Sequence, residues 1–172
     1  MFAELVAIIS RFHGKSISST MSVLIILILS FLASLGITWA YFGEPAYILS
    51  GNIAMCAMLQ FTALGHFKFP EGMSKMVPPF VPFKKAMVLI TGLIEIAAGI
   101  ALLFPSTRYA AGIFLILFFI ALLPANIYAA NRHLDYQKGT YDGKGPAYLW
   151  FRIPMQVFLI TWVWYFAVQP AV

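Results

Sequence analysis

The residue of this 172-residue chain best suited to chemistry is Glu95. It lies within residues 87–104, which carry no other charge, and Gly92 and Gly99 flank it at helical spacing. A carboxylate at bilayer depth costs several kcal/mol unless it faces a protein interior, a partner or water, so a functional role is its default interpretation. A desolvated carboxyl that can release its proton suits quinone or proton chemistry, and it equally suits a plain hydrogen bond.

Further polar side chains are predicted to gather near one end of the apolar segments. At a rise of about 1.5 Å per helical residue, they fall in the half of each predicted membrane helix nearer the cytoplasm, or at its cytoplasmic end. Glu95 lies deeper, near the midplane of the membrane. We expect this set to line a cavity that opens toward one side of the membrane. Its members are Gln60, His66, Asn126, Arg152 and Gln156.

Each of these residues also has a purely structural interpretation. Glu95 could be a protonated carboxyl bonded to neighbouring backbone, and His66 could be an interfacial histidine. The three amide side chains could form hydrogen bonds between helices, and Arg152 could extend its charged head to the lipid headgroups. Their concentration on one side of the membrane favours a binding site.

Composition identifies the helices that must position these residues. The chain is 62% hydrophobic, 16% aromatic and 10% charged, which leaves too little polar surface for a water-soluble globule. About 20 apolar residues cross a hydrocarbon core about 30 Å thick. The expected fold class is therefore an all-α, polytopic membrane helical bundle. Its predicted spans are residues 21–42, 46–67, 85–104, 109–130 and 153–168.

A polar lead at residues 1–20 precedes the first span. The lead and the span are both too long for a secretory signal, whose apolar region has about 7 to 15 residues, so we interpret the span as a retained anchor. Apolar residues at 2–12 fall on one helical face, which suits a short helix on the cytoplasmic surface or a frayed tail. The predicted domains are this lead, a transmembrane helix at 21–42 and a membrane domain at 43–172.

Lysine and arginine are divided unequally between the two sides that five spans define. Ten of the eleven lie on one side, and only Arg108 lies on the other. The positive-inside rule then predicts a multi-pass plasma-membrane protein with a cytoplasmic N-terminus and an external C-terminus. The net charge of +5 reflects this topology and contact with the lipid bilayer, rather than nucleic-acid binding.

Thiol and metal chemistry are not expected from this chain alone. Its single cysteine, Cys56, lies inside the second predicted span and can form neither an internal disulfide nor a CxxC pair. Three dispersed histidines do not make a metal or haem ligand set. We therefore predict no metal site and no cofactor held by the chain, apart from a quinone that it could bind.

Five motifs in a fixed order resemble the DoxX-like family of small membrane proteins. They are GHFKFP at 65–70, MVPPFVP at 76–82, GLIEIAAGIALLFP at 92–105, LPAN at 123–126 and RIPMQ at 152–156. The resemblance covers about residues 46–167 and implies a four-helix core, to which residues 21–42 add an extra N-terminal helix. The residues that match the family pattern are His66, Pro79, Glu95, Pro124, Asn126, Arg152, Pro154 and Gln156.

The resemblance implies a membrane subunit of a quinone-linked redox system. Glu95 would be the buried proton or hydrogen-bond partner of a small amphiphile, with a quinone or a lipid as the expected ligand. The ligand's polar end would be held by His66, Asn126, Arg152 and Gln156, with Gln60 nearby. The loop at residues 66–84, which is rich in proline and phenylalanine, would close over it. Electrons would come from a membrane or cytoplasmic redox partner.

Two other functions use the same residues. More distant relatives of the family look like membrane-protein assembly chaperones, so the main alternative is a non-enzymatic assembly factor or scaffold. It would present membrane-embedded polar groups to a client helix. A proton-coupled carrier is the third possibility, and it requires an outward path, for which the sequence offers only Arg108.

Overall fold

Residues 19–171 are described by a computed structural model of the chain, and within this range the fold is built from α-helices without a β-strand. The prediction of an all-α fold is confirmed. The interfacial helix predicted at residues 2–12 lies outside the described residues. The helices are α1 (Ser19–Phe42), α2 (Tyr47–Lys68), α3 (Pro70–Ser74), α4 (Lys84–Ala101), α5 (Pro105–Asn131) and α6 (Leu149–Val163).

Short helical segments of other types extend α6 at both ends. A 3₁₀ turn at Gly145–Tyr148 leads into it, and a π-helical segment at Trp164–Val168 follows it. A last 3₁₀ turn is formed by Gln169–Ala171. The last predicted span at residues 153–168 is therefore part of a longer helical stretch.

Within residues 19–171, four helical stretches are long and apolar enough to cross a membrane, which supports a multi-pass membrane protein. They are Met21–Phe42, Tyr47–Lys68, Pro105–Asn131 and Gly145–Val168. Helix α4 is not among them, because its 18 residues include three charged side chains, Lys84, Lys85 and Glu95. A membrane crossing by α4 stays a prediction.

The loops before α4 and after α5 dock on each other. Lys75 Nζ donates a hydrogen bond to the carbonyl oxygen of Gly139 at 2.7 Å, and the rings of Phe69 and Tyr136 are 6.3 Å apart. Gly72 is buried here, since a Cβ at this position would overlap the carbonyl of Tyr136. Both loops therefore lie at one end of the bundle, and α4 and α5 form an out-and-back pair.

The turn between α4 and α5 differs from its predicted form. The spans predicted on either side of it were 85–104 and 109–130, whereas α4 ends at Ala101 and Pro105 is the first residue of α5. Proline suits a first helical position because its missing N–H would have no partner there. Arg108 belongs to the first turns of α5 and caps α4, with Nε 3.0 Å from the carbonyl oxygen of Leu102.

Helix α1 is part of the bundle core. Val23 and Leu27 are buried in the same apolar cluster as Met55 of α2 and Leu159 of α6. The ring of Phe31 packs 5.2 Å from that of Trp162, edge to face. The N-terminal helix thus contributes to the packing of the other helices.

A buried network of small hydroxyl side chains joins α1 to α2. Ser34 Oγ donates to Ser50 Oγ at 3.3 Å, and Thr38 Oγ1 accepts from the backbone N–H of Ala46 at 3.2 Å. Next to it, the Asn52 amide donates to the carbonyl oxygen of Phe166 at 2.8 Å. Membrane helices commonly associate through such small and polar residues.

Candidate functional site

Helices α2 and α4 approach each other closely because α4 presents glycines to α2. A Cβ at Gly92 would lie 2.8 Å from Cβ of His66, and a Cβ at Gly99 would lie 3.0 Å from Nε2 of Gln60. The first distance is too short for any real side chain. The two glycines that flank Glu95 at helical spacing therefore set the distance at which its carboxyl meets α2.

Glu95 forms a buried pair with His66 across this seam. Oε1 of Glu95 lies 3.4 Å from Nε2 of His66, and the two side chains are 6% and 13% exposed. The other carboxyl oxygen, Oε2, accepts a hydrogen bond from the hydroxyl of Thr62 at 2.8 Å. Both oxygens of the carboxyl thus face polar groups of α2.

The backbone of α4 fixes the orientation of the His66 ring. Nδ1 lies 2.9 Å from the carbonyl oxygen of Val88, which can only accept, so Nδ1 carries a proton and donates it. The hydroxyl of Thr91 also donates to this carbonyl at 2.8 Å and lies 3.1 Å from Nδ1. The proton of the His66–Glu95 contact is therefore on Nε2 or on the Glu95 carboxyl.

This arrangement can move one proton over a short distance. With Nδ1 held by the Val88 carbonyl, one proton can lie between Nε2 and Oε1, either on the ring or on the carboxyl. In either form, the hydroxyl of Thr62 can bind Oε2. A general acid or base of this kind needs a buried site with few competing partners.

The structure brings together two residues that the sequence placed at different depths. The sequence placed His66 at the inner end of its helix and Glu95 near the midplane. In the structure, His66 is two residues from the end of α2 and Glu95 is eleven residues beyond the start of α4, yet their side chains are in contact. Helix α4 therefore extends beyond the end of α2 on this side of the bundle.

Gln60, the remaining predicted site residue of α2, binds backbone and cysteine sulfur. Its Nε2 donates to the carbonyl oxygen of Ile96 at 3.2 Å and lies 3.9 Å from Sγ of Cys56. The first of these bonds joins α2 to α4 about one turn beyond the His66–Glu95 pair. Gln60 thus takes the interhelical role that the sequence left open.

The other three predicted site residues lie on α5 and α6, and we refer to them as the second group. Gln156 Nε2 donates to the carbonyl oxygen of Phe119 at 2.8 Å, which joins α6 to α5. Asn126 Nδ2 donates to the carbonyl oxygen of Leu122 within α5, at 3.0 Å. Arg152, one turn before Gln156, has a buried Nε for which residues 19–171 provide no hydrogen-bond partner.

Between residues 19 and 171, no hydrogen bond or ion pair connects this second group with the His66–Glu95 pair. The loop expected to close over the site leaves Phe80 and Phe83 exposed, at 84% and 85%. An apolar surface groove of about 320 Å³ between α5 and α6 contains Ile113 and Trp164 but none of the predicted site residues. The structure therefore divides the predicted set into two groups.

Sequence reasoning missed Thr62 and Thr91, which complete the polar contacts of the pair. A signal for both was present: Thr62 and His66 are four residues apart, as are Thr91 and Glu95, and residues at this spacing share a helix face. It also missed the network around Ser50, because serine and threonine are common in apolar helices and no charge marked this one.

Among the described residues, no group of three or more histidine, cysteine, aspartate or glutamate side chains could hold a metal ion. Fold and site together define a multi-pass helical membrane protein with a buried histidine–glutamate pair between two helices. The chain belongs to the family described as "Domain of unknown function (DUF8561)", whose sequence model matches residues 55–167. Helix α1 lies outside the match. No curated protein and no solved structure matches the chain.

Proposed function

We propose that this protein is a DoxX-like membrane subunit that binds a small amphiphile, preferably a quinone, for a redox system of the plasma membrane. The observation that carries this proposal is the buried His66–Glu95 pair at the seam of α2 and α4. A buried ion pair is weak support for stability, because desolvation offsets much of the attraction. Its presence in an apolar bundle is better accounted for by chemistry.

The pair offers what a quinone requires of a protein. Reduction to the quinol adds electrons and an equal number of protons to the quinone oxygens, and a neighbouring acid can supply a proton. Of the two protons that the quinol gains, the His66–Glu95 pair donates one to a carbonyl oxygen, while water supplies the second proton and the one that restores the pair. The electrons come from a redox partner protein, and this chain's residues bind the ring and move the proton.

A ligand that binds Glu95 would compete with protein groups for the two oxygens of its carboxyl. Thr62 donates to one carboxyl oxygen and His66 contacts the other, so an incoming hydroxyl or carbonyl would replace one of these contacts. Entry requires local separation of α2 and α4, since both members of the pair are largely covered. The amphiphile would therefore approach along the helix seam, with its tail among the lipid chains.

Mass spectrometry of the protein purified in native-like lipid tests this proposal. We expect a co-purifying quinone with the wild type and a roughly tenfold smaller amount with Glu95→Gln, which corresponds to the loss of about 1.4 kcal/mol of binding. Glu44→Gln is the matched control, because Glu44 is exposed in the turn between α1 and α2. Its quinone content should equal that of the wild type.

The same experiment separates the redox proposal from its main alternative. A second membrane protein that co-purifies in stoichiometric amount, with no small ligand, would favour a non-enzymatic assembly factor. The apolar groove between α5 and α6 gives that alternative a surface for a client helix. Equal quinone content in all three proteins would contradict a role for Glu95 in binding.

A further inference from the structure

Arg152 is a partly buried cation for which the described part of the chain provides no partner. It is the fourth residue of α6, and its Nε atom is buried without a hydrogen bond. Leaving a buried donor without a partner costs about 1 to 3 kcal/mol, and more for a charged group. Such a group in a folded protein implies a partner from outside the described chain.

The described carboxylates do not supply this partner. Glu44 lies at the opposite end of the bundle, in the turn between α1 and α2. The other described carboxylates already have partners. One of them, Asp142, accepts a hydrogen bond from the Thr140 hydroxyl, which lowers the pKa of this carboxyl. The pairings are Glu71 with Lys85, Glu95 with His66, Asp135 with Lys138 and Asp142 with Thr140.

Arg152 differs in this respect from most cations in the loops around it. Lysines of both docked loops bind carboxylates or a backbone carbonyl, and others lie over aromatic rings, as Arg132 does over Tyr128 at 5.1 Å. None of these arrangements leaves a buried N–H without a partner. The other engaged cations are Lys68 over Phe69, Lys75 with Gly139, Lys85 with Glu71 and Lys138 with Asp135.

The position of Arg152 indicates where its partner comes from. Gln156, one turn further along the same face, binds the backbone of α5, so Arg152 lies beside the α5–α6 seam. Trp150, two residues earlier, is 87% exposed. Exposed tryptophans at the ends of membrane helices lie at headgroup level, where the anion that the bilayer provides is the lipid phosphate.

We propose that Arg152 binds the phosphate of a membrane phospholipid at the seam of α5 and α6. A guanidinium has a planar fork of N–H groups that fits two phosphate oxygens, and this geometry is stronger and more specific than a point charge. Nε is covered by the chain in this structure, so the proposal requires a rotation of the side chain that brings its fork of N–H groups to the phosphate. The lipid then covers the end of the seam. The proposal is independent of the quinone site, because it uses neither His66 nor Glu95.

The test is native mass spectrometry of protein released from nanodiscs that contain phosphatidylglycerol. The wild type should retain one phospholipid, and Arg152→Gln should retain it at least roughly tenfold less often. Arg152→Lys should be intermediate, because it keeps the charge and loses the fork. Lys144→Gln is the matched control, since Lys144 is an exposed cation in the preceding loop, and it should retain lipid as the wild type does.

A second measurement uses only the wild type and does not depend on the folding of a variant. The melting temperature is compared in galactolipid nanodiscs, which have no phosphate, before and after the addition of phosphatidylglycerol or of inorganic phosphate. The proposal predicts an increase with the phospholipid alone. An unchanged melting temperature would overturn it, and an equal increase with inorganic phosphate would overturn its assignment to a lipid.

The N-terminal lead offers one competing partner, Glu4, whose carboxylate precedes the described residues. If Glu4 pairs with Arg152, then Glu4→Gln and Arg152→Gln will lower stability by similar amounts and their effects will not add. That result, with unchanged lipid retention in Arg152→Gln, would overturn the proposal. Additive effects, with lipid lost only in Arg152→Gln, would support it.

Discussion

At the scale of single residues, the position of one proton links His66 to Glu95. The Val88 carbonyl keeps Nδ1 protonated, so the opposite nitrogen, Nε2, is the one whose state can change. Glu95 faces it at 3.4 Å, and Thr62 binds the other side of the carboxyl. The ring and the carboxyl therefore depend on each other for a polar partner at this contact.

This dependence predicts strong coupling in a double-mutant cycle. His66→Leu and Glu95→Leu should each destabilise the protein, because each leaves a buried polar group without its partner. The double variant should be more stable than the sum of the two effects by about 1 to 2 kcal/mol. The measurement is the free energy of unfolding in mixed micelles. Additive effects within about 0.5 kcal/mol would show that the two side chains do not interact.

Hydropathy predicts individual residues of the site better than their contacts. Glu95 and His66 stand out in the sequence because charge and imidazole are rare in apolar segments. Their contact depends on the offset between α2 and α4, which is set by packing between side chains far apart in the chain. For the same reason, the sequence could not show that Arg152 lies apart from the His66–Glu95 pair.

At the scale of helices, apolar length alone predicts the bounds of α2 and α5 closely. The span predicted at 46–67 corresponds to the helix Tyr47–Lys68, and the span predicted at 109–130 corresponds to the helix Pro105–Asn131. The differences arise where local chemistry decides, as at Pro105, which begins a helix that hydropathy alone would begin later. The spacing of Gly92 and Gly99 was informative because it determines how closely α4 approaches α2.

Gly92→Ala should therefore disturb the site without touching its polar atoms. The new Cβ would lie 2.8 Å from Cβ of His66, which is backbone-linked and cannot turn away. We expect α4 to move from α2, with a loss of about 1 to 3 kcal/mol of stability from overpacking and less co-purifying quinone. The measurements are thermal unfolding and mass spectrometry.

The matched control for this variant is Gly36→Ala on α1. Apart from the backbone of its own helix turn, no atom of the described residues lies within 4 Å of the position that a methyl group would take at Gly36, so alanine fits there without displacement. Alanine also favours helix by up to about 1 kcal/mol over glycine, and stability should be unchanged or slightly higher. Equal losses in both variants would mean that the close approach at Gly92 is not needed.

At the scale of the whole molecule, two features connect parts that the sequence treats separately. Helix α1 lies outside the family match at residues 55–167, yet it buries Leu27 in the common core. The loops before α4 and after α5 bind each other through Lys75 and Gly139. If α5 crosses the membrane, the shared position of these loops requires that α4 cross it in the opposite direction.

Cysteine labelling tests this topology for the complete chain. In a Cys56→Ala background, single cysteines replace Glu44, Lys75 and Lys144, which are all exposed. Five spans with a cytoplasmic N-terminus predict that a membrane-impermeant maleimide labels position 44 in intact cells. Positions 75 and 144 should react only after permeabilisation, because the positive-inside rule places the side with ten cations in the cytoplasm. Labelling of 75 and 144 from opposite sides would mean that α4 does not cross, and it would contradict the contact between their loops.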